Sequence, residues 1–175
     1  ITEISPGYIT NWGLGDWVPV KSKTPKEFTS SIYYYIDVTI LSRAAKMFGE
    51  EEDFHKYSEL AQRIKEKINS LYFNPKTSIY GSGFQTELST ALFWGIVPEE
   101  HREKVALNLK KRVLLDNSHI DVGLLGSKTI LNALSENGHA DLAYKLATQE
   151  DFPSWGAWIK SGATTLFEDW KVDES

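Results

Sequence analysis

Two carboxylates in this sequence stand directly beside tryptophan, in segments that do not read as surface helix. Asp16 lies between Gly15 and Trp17 in the run GLGDW, Gly13 to Trp17. Glu168 and Asp169 precede Trp170 at the end of PSWGAWIKSGATTLFEDW, a stretch holding three of the six tryptophans. Carboxylates among aromatic side chains suit glycoside hydrolysis. That reaction needs one acid to protonate the leaving oxygen and a second, ionised, to activate water or attack. Aromatic faces and a concave pocket suit the sugar. Each acid also has a plainer role. Asp16 after a glycine fits a turn that accepts backbone N–H bonds, and Glu168 fits a carboxylate capping or pairing at a helix end. Glu168 and Asp169 are adjacent, so on a helix they point about a quarter-turn apart and cannot both face one cavity. Glu168 is the preferred candidate.

Other chemistries find no residues to carry them. His55, His101, His119 and His139 are scattered, without HExxH or paired spacing, so no metal site is expected. There is no P-loop, GxGxxG or GxSxG, and no cofactor is expected. A net charge of -5 disfavours a nucleic-acid binder. The one tight basic run, Lys110 to Arg112, reads as a solvated helix face. The absence of cysteine removes disulfide and thiolate chemistry without fixing a compartment. No run is long and apolar enough to be a transmembrane helix. His119 falls in a loop on the expected site side and is a candidate for a hydrogen bond to substrate.

The elements that must position these residues follow from periodicity. The 175 residues, 41% hydrophobic, suffice for one domain with a core. Residues 1–25 carry too many glycines and prolines for a long helix. Thr24-Pro25-Lys26-Glu27 predicts a helix entry with Thr24 as N-cap and Pro25 at the first helical position. The helix runs to Phe48 and is apolar on most sides, with a row from Phe28 through Ile32, Ile36, Ile40 and Ala44 to Phe48, and Gly49 ends it. A second helix, about 50–73, has a single apolar stripe, from Phe54 to Leu71, and a charged remainder, so it covers the first. The alternation then repeats. A loop over 74–85 leads to an apolar helix from Thr86 to about Gly95, then a charged helix to about Leu115. The loop 116–121 leads to an apolar helix, about 122–135, then an amphipathic one, 139–149. The stretch from Trp155 is placed as the start of a fourth inner helix.

Buried helix followed by surface helix, three times over, predicts an all-α fold of the α/α-toroid type, a six-hairpin barrel of which three hairpins are about half. The longer loops before the inner helices collect at one end around the cavity. A solenoid of helical hairpins gives the same alternation, but no repeat at TPR or HEAT spacing is present. The start at Ile1, without Met, and the end soon after an aromatic-rich segment suggest part of a larger protein. Residues 1–175 are then a partial (α/α)6-barrel catalytic domain with a site-side segment at 1–25. An open half-barrel would expose apolar inner-helix surface, so self-association is expected, as is contact with the remainder of the same domain.

At these residues the chain resembles the bacterial α-L-rhamnosidases, glycoside hydrolase family 78. PSWG followed by GATTLFEDW carries the resemblance most specifically. GLGDW before a Thr-Pro helix start, and GFQTELSTALFWGIVP, occur in the expected order. The resemblance implies an (α/α)6 barrel and inverting hydrolysis of terminal α-L-rhamnose from glycosides or polysaccharides. It implies that Glu168 is the general base, that Asp16 and Trp17 lie in the pocket for the terminal sugar, and that Tyr80, His119 and Trp155 match further pocket positions. The family's general acid, in an Arg- and Trp-containing motif before GDW, has no match here, so the 175 residues alone are expected to be inactive. Two other readings stay open: a non-catalytic carbohydrate-binding module, and a helical-repeat interaction domain. Convergence of Trp17, Trp155 and Trp158 on one cavity would favour sugar.

Overall fold

A computed structural model describes residues 6–171. After a short 3-10 turn at Pro6–Tyr8, the chain runs irregularly to helix α1, Lys26–Phe48, and then α2, Glu51–Tyr72. Two-residue strands β1, Phe73–Asn74, and β2, Ile79–Tyr80, pair antiparallel. There follow α3, Gln85–Phe93; α4, Arg102–Leu115; α5, Leu124–Glu136; α6, Ala140–Ala147; and α7, Trp155–Lys160. Helix α1 packs on α2, α3 on α4, and α5 on α6, while α3 lies between α1 and α5. The three hairpins stand side by side, with α1, α3 and α5 as the inner row. The all-α toroid architecture read from the alternation is therefore the one observed.

The local reasons differ in places from the expected ones. Thr24 does not cap α1. Pro25 occupies the cap position, its carbonyl accepting from the Phe28 N–H at 3.1 Å, and the Thr24 hydroxyl is buried without a partner. Proline with an extended ψ of 131° sets the entry by its fixed φ alone. Gly49 closes α1 in the left-handed conformation at φ 75°, its N–H bonding to Ala45 and Lys46 carbonyls. The apolar row of α1 is buried at Phe28 and Ile32 but exposed at Ile40 and Phe48, so only its first half meets the core. On α2, Ala61, Ile64 and Ile68 are buried while Leu71 is exposed.

Two expected elements change form. The loop 74–85 contains the β1–β2 hairpin, which buries Tyr80 fully. The fourth inner helix is only six residues long, and residues 161–171 turn and bend without helix. Ser154 caps α7 by accepting from the Ala157 N–H at 3.0 Å. The segment beyond α7 is held by its tryptophans. Trp158 and Trp170 stack at 4.7 Å, and the Trp158 indole N–H donates to the Trp170 carbonyl at 3.1 Å. Trp170 in turn donates from Nε1 to the Val122 carbonyl, just before α5, at 2.7 Å.

Candidate functional site

Helix α5 begins without a side-chain cap of its own, because its N-cap is Gly123. Its exposed N–H groups are met by Asp16, from the far end of the chain. One carboxylate oxygen accepts from Gly123 at 2.8 Å; the other accepts from Leu125 at 2.9 Å and Gly126 at 3.0 Å. The Thr86 hydroxyl adds a fourth bond. A carboxylate at a helix N-terminus also meets the positive end of the helix dipole. The Leu124 N–H donates to the Trp17 carbonyl at 2.9 Å. This contact needs glycine at 123: a Cβ there would lie 2.2 Å from the Trp17 carbonyl oxygen.

Residues 122 and 123 are thus a common anchor. Val122 takes the Trp170 indole, and Gly123 takes Asp16. The consequence is that Trp17 and Glu168, 151 positions apart, meet: the Trp17 indole N–H donates to Glu168 Oε1 at 2.8 Å. Both line a cleft of about 880 Å³ between the irregular N-terminal segment, α1 and the start of α5. Trp12, Leu14 and Leu124 make its largely apolar rim and are well exposed. Helix α1 contributes Ser30, Tyr33 and Asp37, spaced i, i+3 and i+7 and so on one face.

The sequence-derived candidates separate on this geometry. Glu168 and Trp17 line the cleft. Asp16 lies behind it, buried and fully engaged as the cap of α5. Tyr80 lies in the core instead, its hydroxyl donating to Asn69 and its ring packed on Phe28 and Phe73. Burial pushes its phenol pKa far up. Trp155 packs edge-on against Trp170 at 5.4 Å and is not among the residues that line the cleft. Trp17, Trp155 and Trp158 do not converge on one cavity; it is Trp12 that joins Trp17 in the cleft. His119 lines a separate cleft of about 420 Å³ and meets Asp151 at 3.0 Å. That hydrogen bond holds the Asp151 carboxyl below its usual range.

Tyr33, Tyr34 and Asp37 were not singled out from the sequence, though a signal exists. Asp37 is the only charge between Glu27 and Arg43, in the otherwise uncharged middle of α1. Tyr33 has its phenol pKa raised, by burial first and then by the neighbouring charges of Asp16 and Asp37, so it keeps its proton and can donate.

A further network braces the segment leading into α1. The Asp121 carboxylate accepts from the Lys21 N–H at 2.9 Å and from the Ser22 N–H and hydroxyl. Asp116 is bonded by Lys21, Arg112 and Gln85. Burial alone would raise the Asp116 pKa, but these bonds hold it below its ordinary value. Among the described residues no group of three or more histidines and acids is placed to hold a metal ion, and no helix is long and apolar enough to cross a membrane.

Residues 3–175 match the family model described as the bacterial α-L-rhamnosidase six-hairpin glycosidase domain. The chain is 32% identical over 158 residues to an α-L-rhamnosidase of Streptomyces avermitilis, covering 90% of this chain and 15% of that protein. It is 30% identical over 177 residues to an α-L-rhamnosidase of Formosa agariphila, covering 93% of this chain and 19% of that one. Its structure is similar to the Streptomyces avermitilis α-L-rhamnosidase crystallised with L-rhamnose, at a TM-score of 0.89 and 30% identity over 96% of this chain and 16% of that one. It is also similar to the α-L-rhamnosidase of Dictyoglumus thermophilum, at a TM-score of 0.88 and 34% identity over 96% of this chain and 20% of that one. The chain therefore spans less than a quarter of the length of each relative.

Proposed function

The chain belongs to the bacterial α-L-rhamnosidase six-hairpin glycosidase family, and on that premise we propose that it supplies the water-activating half of a rhamnoside-hydrolysing site. Glu168 is the general base. Trp17 orients it through the indole N–H, and Asp16 acts as a positioning residue that holds Trp17 in place by capping α5. The observation that carries this reading is the 2.8 Å bond between Trp17 and Glu168 at a cleft walled by aromatic and aliphatic side chains. One Glu168 oxygen is held by the indole, and the other stays available to take a proton from water. The irregular N-terminal segment serves as the site-side rim of the domain.

Inverting hydrolysis needs a second carboxyl about 6.5–9.5 Å away, leaving room for the attacking water. In this reading that acid comes from outside the 175 residues, from the remainder of the same catalytic domain. The chain by itself binds L-rhamnose without cleaving rhamnosides.

The test has two arms. Titration of the chain with L-rhamnose, followed by tryptophan fluorescence, is expected to saturate and to weaken in Glu168→Ala. In a longer polypeptide carrying the upstream acid motif, Glu168→Gln is expected to lower kcat on 4-nitrophenyl α-L-rhamnoside by about 10²–10⁴-fold. Hydrolysis that survives Glu168→Gln would sink the assignment. Cleavage by the 175 residues alone would overturn the placement of the acid.

A further inference from the structure

Tyr33 and Asp37 stand one turn apart on α1 and line the same cleft as Glu168. Neither side chain has a hydrogen-bond partner among the described residues. The Tyr34 hydroxyl of the same cleft is also without a partner but is buried, whereas the other acids around the site are engaged. Asp16 accepts four bonds, Asp121 three and Asp116 four, and Glu168 holds the Trp17 indole. The contrast is chemical as well as numerical. The carboxylate of Asp37 can only accept, and the neutral phenol of Tyr33 can donate. A sugar hydroxyl does both at once. A donor and an acceptor side by side on one rigid helix, facing a cleft with an aromatic rim, form a complementary pair for such a group.

We propose that Tyr33 and Asp37 are specificity-determining residues that together bind a ring hydroxyl of the sugar in the Glu168 cleft. The assignment rests on the rhamnoside reading of that cleft. It places hydroxyl recognition on α1, the most regular element of the wall, and leaves the base on the loop that follows α7. The division fits their tasks. A helix holds its side chains rigidly, one turn apart, where the recognition of a particular hydroxyl requires fixed geometry. Trp17 and Trp12 supply stacking surface that every pyranose shares, so discrimination between sugars falls to Tyr33 and Asp37.

Binding of L-rhamnose and its monodeoxy analogues to the chain is measured by tryptophan fluorescence, with thermal melts as control. Asp37→Ala is expected to weaken L-rhamnose binding about tenfold or more, the size of a lost charged hydrogen bond, and Tyr33→Phe by less. Both variants are expected to keep the wild-type melting temperature, because neither group is bonded within the protein. One monodeoxy analogue is expected to bind the wild type more weakly than L-rhamnose but to bind Asp37→Ala equally to it. Unchanged affinity in Asp37→Ala, with affinity lost in Glu168→Ala, overturns this inference and leaves the cleft reading standing. Failure of the wild type to bind any of these sugars overturns both. Hydrolysis that appears in a longer polypeptide and depends on Asp37 only for substrates with poor leaving groups would make Asp37 a proton donor, and overturns the inference as well.

Discussion

The indole of Trp17 donates a hydrogen bond to the carboxylate of Glu168 across 151 positions of sequence, at 2.8 Å. Two anchors only one residue apart produce it. Asp16 is tied to Gly123, and Trp170 is tied to Val122. The two ends of the chain are therefore registered against one point at the start of α5, and the cleft forms where they meet.

Trp17→Phe keeps a ring in the cleft and removes only the donor. Folding stability is expected to change by less than about 1 kcal/mol, since the side chain is 41% exposed. L-rhamnose affinity is expected to fall several-fold, because Glu168 loses its fixed orientation. Chemical denaturation and a fluorescence titration using the remaining tryptophans check the two halves. A large loss of stability with intact binding would show that the indole braces the fold instead.

Asp16→Ala leaves the Gly123, Leu125 and Gly126 N–H groups and the Thr86 hydroxyl without their acceptor. Loss of a helix cap costs about 0.5–2 kcal/mol, and orphaned buried donors add to it, so a total of roughly 3 kcal/mol is expected. Urea unfolding measures it. Because Trp17 follows Asp16 directly, sugar binding is expected to weaken even where the variant remains folded.

Trp170→Phe removes the indole donor to the Val122 carbonyl while keeping a ring against Trp158. A cost of about 2 kcal/mol is expected from the lost bond and the smaller buried area. Hydrogen exchange should quicken over residues 161–171 before it changes in α1 or α2. Uniform quickening would mean that this segment is not held separately.

Two buried acids give opposite pH slopes. Asp116 has its pKa lowered in the fold, so its contribution is present above about pH 4, the unfolded value, and is lost as pH falls through the folded one. Asp116→Asn is expected to be about 2 kcal/mol less stable than the parent at pH 7, with the gap closing in acid. Glu87 is raised, by burial first, against the opposing pull of N–H bonds from Phe84, Ser82 and Gly83 and the charge of Arg112. Its contribution is complete below about pH 4.3 and is lost as pH rises through its raised value. Glu87→Gln is expected to gain on the parent as pH rises from 4 to 7. Urea midpoints at pH 3, 4 and 7 for both variants test the signs.

The sequence by itself determined the six helices of the three hairpins, their pairing and the two segments whose residues meet at the cleft. Apolar period and charge pattern are local properties, so α1 could be read to its last residue and α2 nearly so. Gly49 and Pro25 marked ends for reasons of backbone geometry that need no neighbour. Glu168 could be named because it stands among tryptophans in a segment whose composition does not suit a surface helix, and Trp17 because its GDW motif resembles the family's. What only the tertiary structure decided is which way each polar side chain turns. Asp16 beside Trp17 fits either an acceptor of backbone N–H bonds or a pocket acid, and the N–H groups it accepts from belong to a helix more than a hundred residues away, because α5 begins at a glycine with nothing of its own to offer. The burial of Tyr80 was not legible because the β1–β2 hairpin that holds it, two residues on each side, is too short to show a period. Asp37 was overlooked because one charge in the apolar middle of a helix has no meaning until the helix has a neighbour to face. Hydrogen-bond satisfaction is settled between segments distant in sequence, and it is this that separates the acids that hold the fold from Asp37, which has no partner among the described residues.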